Sequence, residues 1–432
     1  MAASTHRLRL PGTGRITVWG LFALVLAVAP LLLRSSLALA MLSQTGYLVI
    51  ICLSYNILLG QGGMPSFGHA VYTGLGSFIA VHAMNMAGQG GLAVPLTLIP
   101  IVGGLAGMGC AILLGYATTR KSGTAFAMIT LGVGELVASM ALMFPGFFGG
   151  EGGIATNRVY GRPLLGITFG PQIQVYYLIA VYCFVCTALM FAFTATPLGR
   201  MLNAVRDNPE RVEFIGYDTR RVRYLAFIVA GFFAGIGGGL AAISFEIVTA
   251  ADSMGMLRSG SYLLFTFLGG AGFFFGPIIG AVLLVLATVL LSELTRAWLL
   301  YLGLAFLCMV MFAPGGIASL AMLNLRLARH GRLRPLAWLY AGLFAAALLA
   351  ALGAAAMIEM LYHLRLDAAL GTTLRFMGAT LDAGAAASWA GAALLLALGA
   401  GLFEHVRRRF MRRWDAIQED IELQARCREG AA

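Results

Sequence analysis

An all-α, polytopic bundle of membrane-crossing helices is the fold class this sequence predicts, and three observations predict it. The 432 residues are 60% apolar and only 11% charged, with a mean hydropathy of +0.87, whereas soluble domains carry roughly 25% charged residues. The apolar residues gather in blocks of about 18–25, the length that crosses roughly 30 Å of hydrocarbon at about 1.5 Å per residue. The short alternating segments of a transmembrane barrel are not visible.

Taken in order, crossings are predicted at about 16–33, 40–59, 70–86, 92–117, 123–144, 174–195, 224–245, 259–269, 276–293, 297–313, 335–360 and 387–404. The first follows Arg7, Arg9 and Arg15. It is longer than a signal-peptide core, and Arg34 separates it from the cleavage-like Ala38-Leu39-Ala40, so an uncleaved first span is expected. Between the second and third blocks, Gly60, Gly62, Gly63, Pro65 and Gly68 must break the helix. The block 259–269 is too short to cross alone and stops at Gly269-Gly270, which predicts a broken or re-entrant helix. The connection 145–173, rich in Gly and Pro, has room only for a lid or a docking surface. Beyond 313 the composition shifts. Residues 1–323 are read as one transmembrane domain, 324–404 as an appended pair of helices and 405–432 as an amphipathic tail.

The net charge of +11 is explained without nucleic acid. With the N-terminus in the cytoplasm, the segments before 16 and at 118–122, 196–223, 314–334 and 405–432 hold 22 of the 29 Lys and Arg residues. Arg34, Arg158, Arg162, Arg258, Arg296, Arg365 and Arg375 fall on the other side. That bias sets the orientation, supports an even number of crossings and puts both termini in the cytoplasm. The six Cys show no disulfide framework, and Cys183 and Cys186, though at redox spacing, are read as small buried hydrophobes. The six His are scattered, so no metal site is predicted.

Charge concentrates in Arg206-Asp-Asn-Pro-Glu-Arg-Val-Glu-Phe-Ile-Gly-Tyr-Asp218. Asn208 is a good N-cap, Pro209 suits the first helical position, and Glu210 adds negative charge to the first turn. Gly216 offers a left-handed stop. A two-turn helix over 209–215 is predicted, with Val212 and Ile215 on one face and Arg211 and Glu213 elsewhere. So short a helix is marginal unless something holds it. It reads either as a solvated loop or as a coupling helix, about 207–216, pushed by a cytoplasmic motor. The motor would be a separate chain. The phosphate-cradling loop is absent, because Lys121 lies in Gly115-Tyr-Ala-Thr-Thr-Arg-Lys-Ser, where Arg120 stands in place of the second glycine.

Several stretches resemble LivM-type permeases, the membrane subunits of branched-chain amino acid ABC importers. They are Leu59-Gly-Gln-Gly-Gly-Met-Pro-Ser-Phe-Gly-His-Ala70, Ala125-Phe-Ala-Met-Ile-Thr-Leu-Gly-Val-Gly-Glu135, Gly149-Gly-Glu-Gly-Gly-Ile154, and Leu198-Gly-Arg through Arg206-Asp-Asn-Pro-Glu-Arg to Gly216-Tyr. Leu268-Gly-Gly-Ala-Gly-Phe-Phe-Phe-Gly-Pro277 and Met311-Phe-Ala-Pro-Gly-Gly-Ile317 follow in the same order. The resemblance covers about 40–320 and implies an ABC-importer transmembrane domain with broken or re-entrant helices in the bacterial inner membrane. It also implies a second homologous permease, two ATP-binding subunits and a periplasmic substrate-binding protein. ATP and Mg would be used by those partners, with no cofactor and no catalytic residue in this chain. Arg206, Asp207, Asn208, Pro209, Glu210, Arg211 and Gly216 then mark where an ATPase docks. The departure after 324 leaves residues 324–432 without an implied role.

Ser66, His69, Thr130 and Glu135 are the candidates for the translocation pathway. A carboxylate at the depth of Glu135 costs about 2.5–3.5 kcal/mol or more unless paired or wetted. It either meets a solute's ammonium group or hydrogen-bonds a Thr or Asn on a neighbouring helix. Ser66 and His69 sit at the break, where exposed amides could hold a carboxylate or simply be capped. The ladders Gly231, Gly235, Gly239 and Gly272, Gly276, Gly280 predict close helix packing, and Phe273-Phe-Phe275 an anchor or gate. In the tail, Val406, Phe410, Trp414, Ile417 and Ile421 form a helical stripe beside Arg407, Arg408, Arg409, Arg412 and Arg413. Such a helix suits an anionic membrane surface or a partner ATPase. Rival functions are an ABC permease for urea, an amide or another small solute, and a secondary transporter needing no ATPase.

Overall fold

Where the sequence supplies caps, the helices begin. Ser35 accepts from the Ala38 N–H, Thr196 precedes Pro197 and accepts from the Gly199 N–H, and Asp218 accepts from Arg220 and Arg221. The computed structural model describes residues 12–91, 94–160, 168–313, 315–329, 334–366, 371–376 and 378–429. Arg7, Arg9, Arg162 and Pro314 therefore lie outside the described residues.

The elements run α1 (Gly12–Leu32), α2 (Ser36–Asn56, continuing as a π turn Ile57–Gln61), α3 (His69–Gly88), α4 (Ile99–Thr118), α5 (Gly123–Met143) and α6 (Pro145–Phe148). Strand β1 (Ile154–Ala155) precedes α7 (Gln172–Ala195), α8 (Pro197–Asp207), α9 (Pro209–Phe214) and α10 (Thr219–Phe245). After β2 (Ile247–Val248) come α11 (Ala250–Met254), α12 (Met256–Gly269), α13 (Gly276–Val285, with a π turn Leu286–Leu291) and α14 (Ser292–Leu294). The chain ends with α15 (Trp298–Phe312), α16 (Gly316–Arg329), α17 (Arg334–Leu366), β3 (Thr373–Phe376), β4 (Ala379–Asp382) and α18 (Ala386–Glu429).

Among the described residues, eight helices are long and apolar enough to cross a membrane, or nine if Trp298–Phe312 and Gly316–Leu325 form one bent span. That is fewer than the twelve blocks read from the sequence. The apolar part of α1, Ile16–Leu32, is short, and α12 has only 14 residues. Helix α3 is enclosed by its neighbours, so it tolerates His69, Tyr72, Thr73 and Ser77 on its surface without facing hydrocarbon.

The chain divides into two compact units, Met1–Val289 with Met309–Ser319 and Leu290–Cys308 with Leu320–Ala432. In the first unit α10 is central: 78% of its apolar stretch is buried, against 33–50% for the other candidate spans before residue 289. Glycine makes that possible. A Cβ at Gly235 would lie 2.3 Å from the Gly103 carbonyl oxygen, and one at Gly76 would lie 2.6 Å from the Gly235 Cα. Helices α3, α4 and α10 thus touch backbone to backbone. Gly231 and Gly239 extend the seam onto Ala111 and Pro100.

The second glycine ladder is only partly realised. Gly272 lies before α13 in open space, because α13 does not start until Gly276. Gly276 and Gly280 do pack, against the backbone of Gly270 and Phe265, and fold α13 back on α12 as a tight hairpin. Gly270 makes the turn at φ +115°. Phe274 meets Phe191 edge-on at 5.1 Å between ring centres, while Phe275 is exposed. Cys183 and Cys186 are buried free thiols.

The second unit is built around a helical hairpin, with α14 and most of α15 beside it. Helices α17 and α18 approach through Gly353 and Gly399, and the antiparallel strands β3 and β4 join them, Thr373 opposite Asp382. Trp389 donates to the Ala383 carbonyl (2.9 Å) over a small core of Ala356, Met360 and Ala392. The Gly384 N–H and the Thr372 hydroxyl hold the Asp382 carboxyl below the usual carboxylate range. Helix α18 runs unbroken through residue 405. The start of its stripe packs against α17, where Tyr340 meets Phe410 at 5.0 Å between ring centres, and Phe410 stacks on Trp414. The side chains of Ile417 and Ile421 lie outside the described residues.

Candidate functional site

The break after α2 is built from buried polar groups. Tyr55 reaches across it, its hydroxyl donating to the Ser66 carbonyl and accepting from the Ser66 N–H, both at 3.0 Å. The Phe67 N–H donates to Thr130 Oγ1 (3.1 Å), and the Ala70 N–H donates to Ser259 Oγ (2.9 Å). The start of α3 is therefore capped from α2, α5 and α12 at once. The amides of Ser66, Phe67 and Ala70 are thus taken within the chain, as capping would have it. Gly68 is required here, because a Cβ would lie 2.4 Å from the Thr130 carbonyl oxygen.

His69 is fully buried. Ser54 donates to the Ile51 carbonyl (2.7 Å), so its oxygen is left to accept from His69 Nε2 (2.9 Å). The proton then sits on Nε2, and Nδ1 is a bare acceptor. Nδ1, Ser66 Oγ, Asn56 Oδ1 and Gln61 Oε1 are buried with no partner among the described residues. Each such group costs about 1–3 kcal/mol. Together they make this junction the polar weak point of an apolar bundle. Replacing Tyr55 by phenylalanine removes one hydroxyl and orphans the Ser66 N–H. Thermal denaturation of the purified protein is expected to show a loss of about 1–3 kcal/mol, and an unchanged midpoint would refute the bridge.

The charged segment touches this junction. Asp207 Oδ1 holds Arg206 by Nε (3.0 Å) and Nη2 (2.9 Å), and Arg206 Nη1 donates to the Gly60 carbonyl. The Arg206 stem lies against Gly63, which adopts φ +63°. Leu202 is fully buried beside Gly62. Beyond it, Asn208 caps α9 by accepting from the Arg211 N–H (3.1 Å), Pro209 occupies the first turn, and Gly216 stops the chain at φ +88°. Glu213 accepts from the Thr219 hydroxyl (2.8 Å), tying α9 to the start of α10.

The predicted pairing of Val212 with Ile215 is corrected. Val212 is buried, but the helix ends at Phe214 and Ile215 is 68% exposed, with Phe214 at 91%. Glu210 and Arg211 are exposed as well. Ser66, His69, Thr130 and Arg206 thus gather at one junction, whereas Glu135 does not. Its side chain is exposed on α5, with no hydrogen bond or ion pair among the described residues, so the reading that it bonds a Thr or Asn on a neighbouring helix falls. Sequence reasoning missed Ser54, Tyr55 and Ser259; a polar residue inside each apolar block was the available signal.

A strap closes the other end of the first unit. Strand β1 pairs antiparallel with β2, Ile154 opposite Val248 and Ala155 opposite Ile247. Gly153 fits at φ +70° with its α-carbon against the Val248 carbonyl. The Arg158 N–H donates to Glu246 Oε1 (2.8 Å), and its guanidinium binds the Phe169 and Gly170 carbonyls (both 2.9 Å). The connection read as a lid is thereby stitched to the end of α10.

Residues 37–314 match the family described as branched-chain amino acid transport system / permease component. The chain is 27% identical over 325 residues to the high-affinity branched-chain amino acid transport system permease protein LivM of Escherichia coli, covering 70% of this chain and 75% of that protein. It is 26% identical, over the same shares, to LivM of Salmonella typhimurium. To the probable branched-chain amino acid transport permease protein LivH of Methanocaldococcus jannaschii it is 22% identical over 249 residues, 57% of this chain and 77% of that one. No solved structure matches. With a matched region that contains both the junction and the charged handle, the chain belongs to the permease-component family of branched-chain amino acid transport systems.

Proposed function

We propose that this chain is the membrane-spanning subunit of an ATP-driven importer, carrying branched-chain amino acids through a pathway it shares with a second permease. Family membership over residues 37–314 carries the reading. The chain makes and breaks no covalent bond; ATP and Mg belong to two partner ATPases, and a periplasmic binding protein delivers the solute. The handle supports the coupling role, since Phe214, Ile215, Glu210 and Arg211 stand exposed for a partner while Arg206 reaches inward to the broken helix. In this reading the handle lies in the cytoplasm with both termini, and the strap faces the periplasm of a bacterial inner membrane. Residues 324–404 are an appended pair of helices and 405–432 a cytoplasmic tail.

The test is reconstitution in proteoliposomes with the second permease, the ATPases and the binding protein. Labelled leucine is expected to accumulate only with ATP and all partners, and urea is not. Uphill transport by this chain alone on an ion gradient, or uptake of urea in place of leucine, would overturn the reading.

A further inference from the structure

Beneath the β1–β2 strap lies a cavity of about 340 Å³, within the roughly 300–1,000 Å³ of ordinary ligand pockets. Its walls come from α2, α3, α10, β2 of the strap, α11 and α12, all in the first unit. One wall is apolar: Ile51, Phe245, Ile247 and Val248. The lining also includes Arg258, Asp252, Tyr47, Tyr262, Thr73 and Ser77. Arg258 is anchored through one nitrogen, Nε donating to the Asp252 carbonyl at 2.8 Å. No acceptor among the described residues takes its two terminal nitrogens. Asp252 Oδ2 accepts from Thr249 (2.9 Å), and its Oδ1 has no such partner. A guanidinium fork and a carboxylate, six residues apart and held by one backbone hydrogen bond, thus border one apolar chamber.

We infer that this cavity is a binding subsite for a free, zwitterionic amino acid with an apolar side chain. Arg258 takes the α-carboxylate through its two terminal nitrogens, the geometry in which guanidinium binds carboxylate best. Asp252 takes the ammonium group, and the apolar wall takes the side chain. Each charge on the solute meets its opposite, and neither is left unpaired in a half-buried site. The polar junction lies further along the same helices. Tyr47 and Thr73 line it, while Ser54 and His69 of the same two helices sit seven and four residues deeper, about 10 and 6 Å at the helical rise. The solute would rest directly above the polar junction.

The inference rests on the proposed function, and its test separates the two. The full complex, without binding protein, is placed in nanodiscs, and equilibrium binding of labelled leucine is measured beside ATP-dependent uptake by the complete system. Arg258→Gln is expected to weaken binding at least about tenfold, and Arg258→Lys less, because a charge-assisted pair is lost or only loosened. Leucinol, lacking the carboxylate, and 4-methylpentanoate, lacking the ammonium, are each expected to compete at least about tenfold worse than leucine. Asp252→Asn should weaken leucine while leaving 4-methylpentanoate unchanged. Unchanged elution and melting of Arg258→Lys establish that the fold is intact. Normal wild-type uptake with equal leucine binding by Arg258→Gln would overturn the subsite alone, as would no binding by the wild type above empty nanodiscs. A wild type that carries no amino acid at all would overturn both.

Discussion

Leucine in place of Gly235 is expected to abolish stable folding of the bundle. Its first side-chain carbon would lie 2.3 Å from the Gly103 carbonyl oxygen and 3.0 Å from the Gly104 Cα. Both are backbone atoms of the neighbouring helix α4, so neither can swing aside as a side-chain tip would. Overpacking a core commonly costs about 1–3 kcal/mol and sometimes more. Here whole helices would have to separate, and with them the contact of Gly76 on α3 with the Gly235 Cα. Loss should reach about 3 kcal/mol or more, seen as aggregation on size-exclusion chromatography or a sharply lowered melting temperature. Gly109 of α4 supplies the contrast. Nothing lies within 4 Å of its missing Cβ, so Gly109→Ala should be neutral or stabilising by up to about 1 kcal/mol through helix propensity. Equal behaviour of the two variants would refute the seam.

Alanine at Arg206 is expected to disconnect the handle from the broken helix without dislodging either. The guanidinium is the group that joins the Gly60 carbonyl to α8, and its stem covers Gly63. In the reconstituted importer, ATP-dependent uptake should fall at least about tenfold, the scale of a lost charge-assisted hydrogen bond, while ATP hydrolysis continues. Exchanging Glu210 and Arg211 together for alanine should act differently. Both side chains are exposed, so the protein should fold and insert normally and, on the proposed coupling role, bind a partner ATPase more weakly. A variant lacking Arg206 that transports as well as the native chain would show that force does not pass through this bond.

The contrast between those two sites shows what could be read from the letters. Asn208, Pro209 and Gly216 specify a start and a stop by local geometry, and the structure forms a helix over Pro209–Phe214 with Gly216 left-handed. The glycines and proline of 60–68 likewise announce a broken helix, and the seam on α10 was visible as a four-residue repeat. What was hidden depends on distant partners. Ser259 caps Ala70 across 189 residues, and Arg206 reaches Gly60 across 146. No periodicity within one helix encodes such pairings. Ile215 went wrong for a related reason: a one-residue difference in where a two-turn helix ends turns a side chain from the buried face to the outside. Gly272 failed similarly, since a repeat of small residues forms a stripe only where a helix exists to carry it. Arg258 was counted for topology alone, because one arginine says nothing about a chamber whose walls come from six separate elements.

The triple capping at the head of α3 has a consequence for how sequences of this kind can diverge. Tyr55, Thr130 and Ser259 each supply one hydroxyl to a single stretch of main chain, from three helices that are otherwise far apart along the polypeptide. Drift at any one of them changes what the other two are worth, so substitutions there should be inherited as sets, and grafting one of these helices from a cousin without its companions should fail.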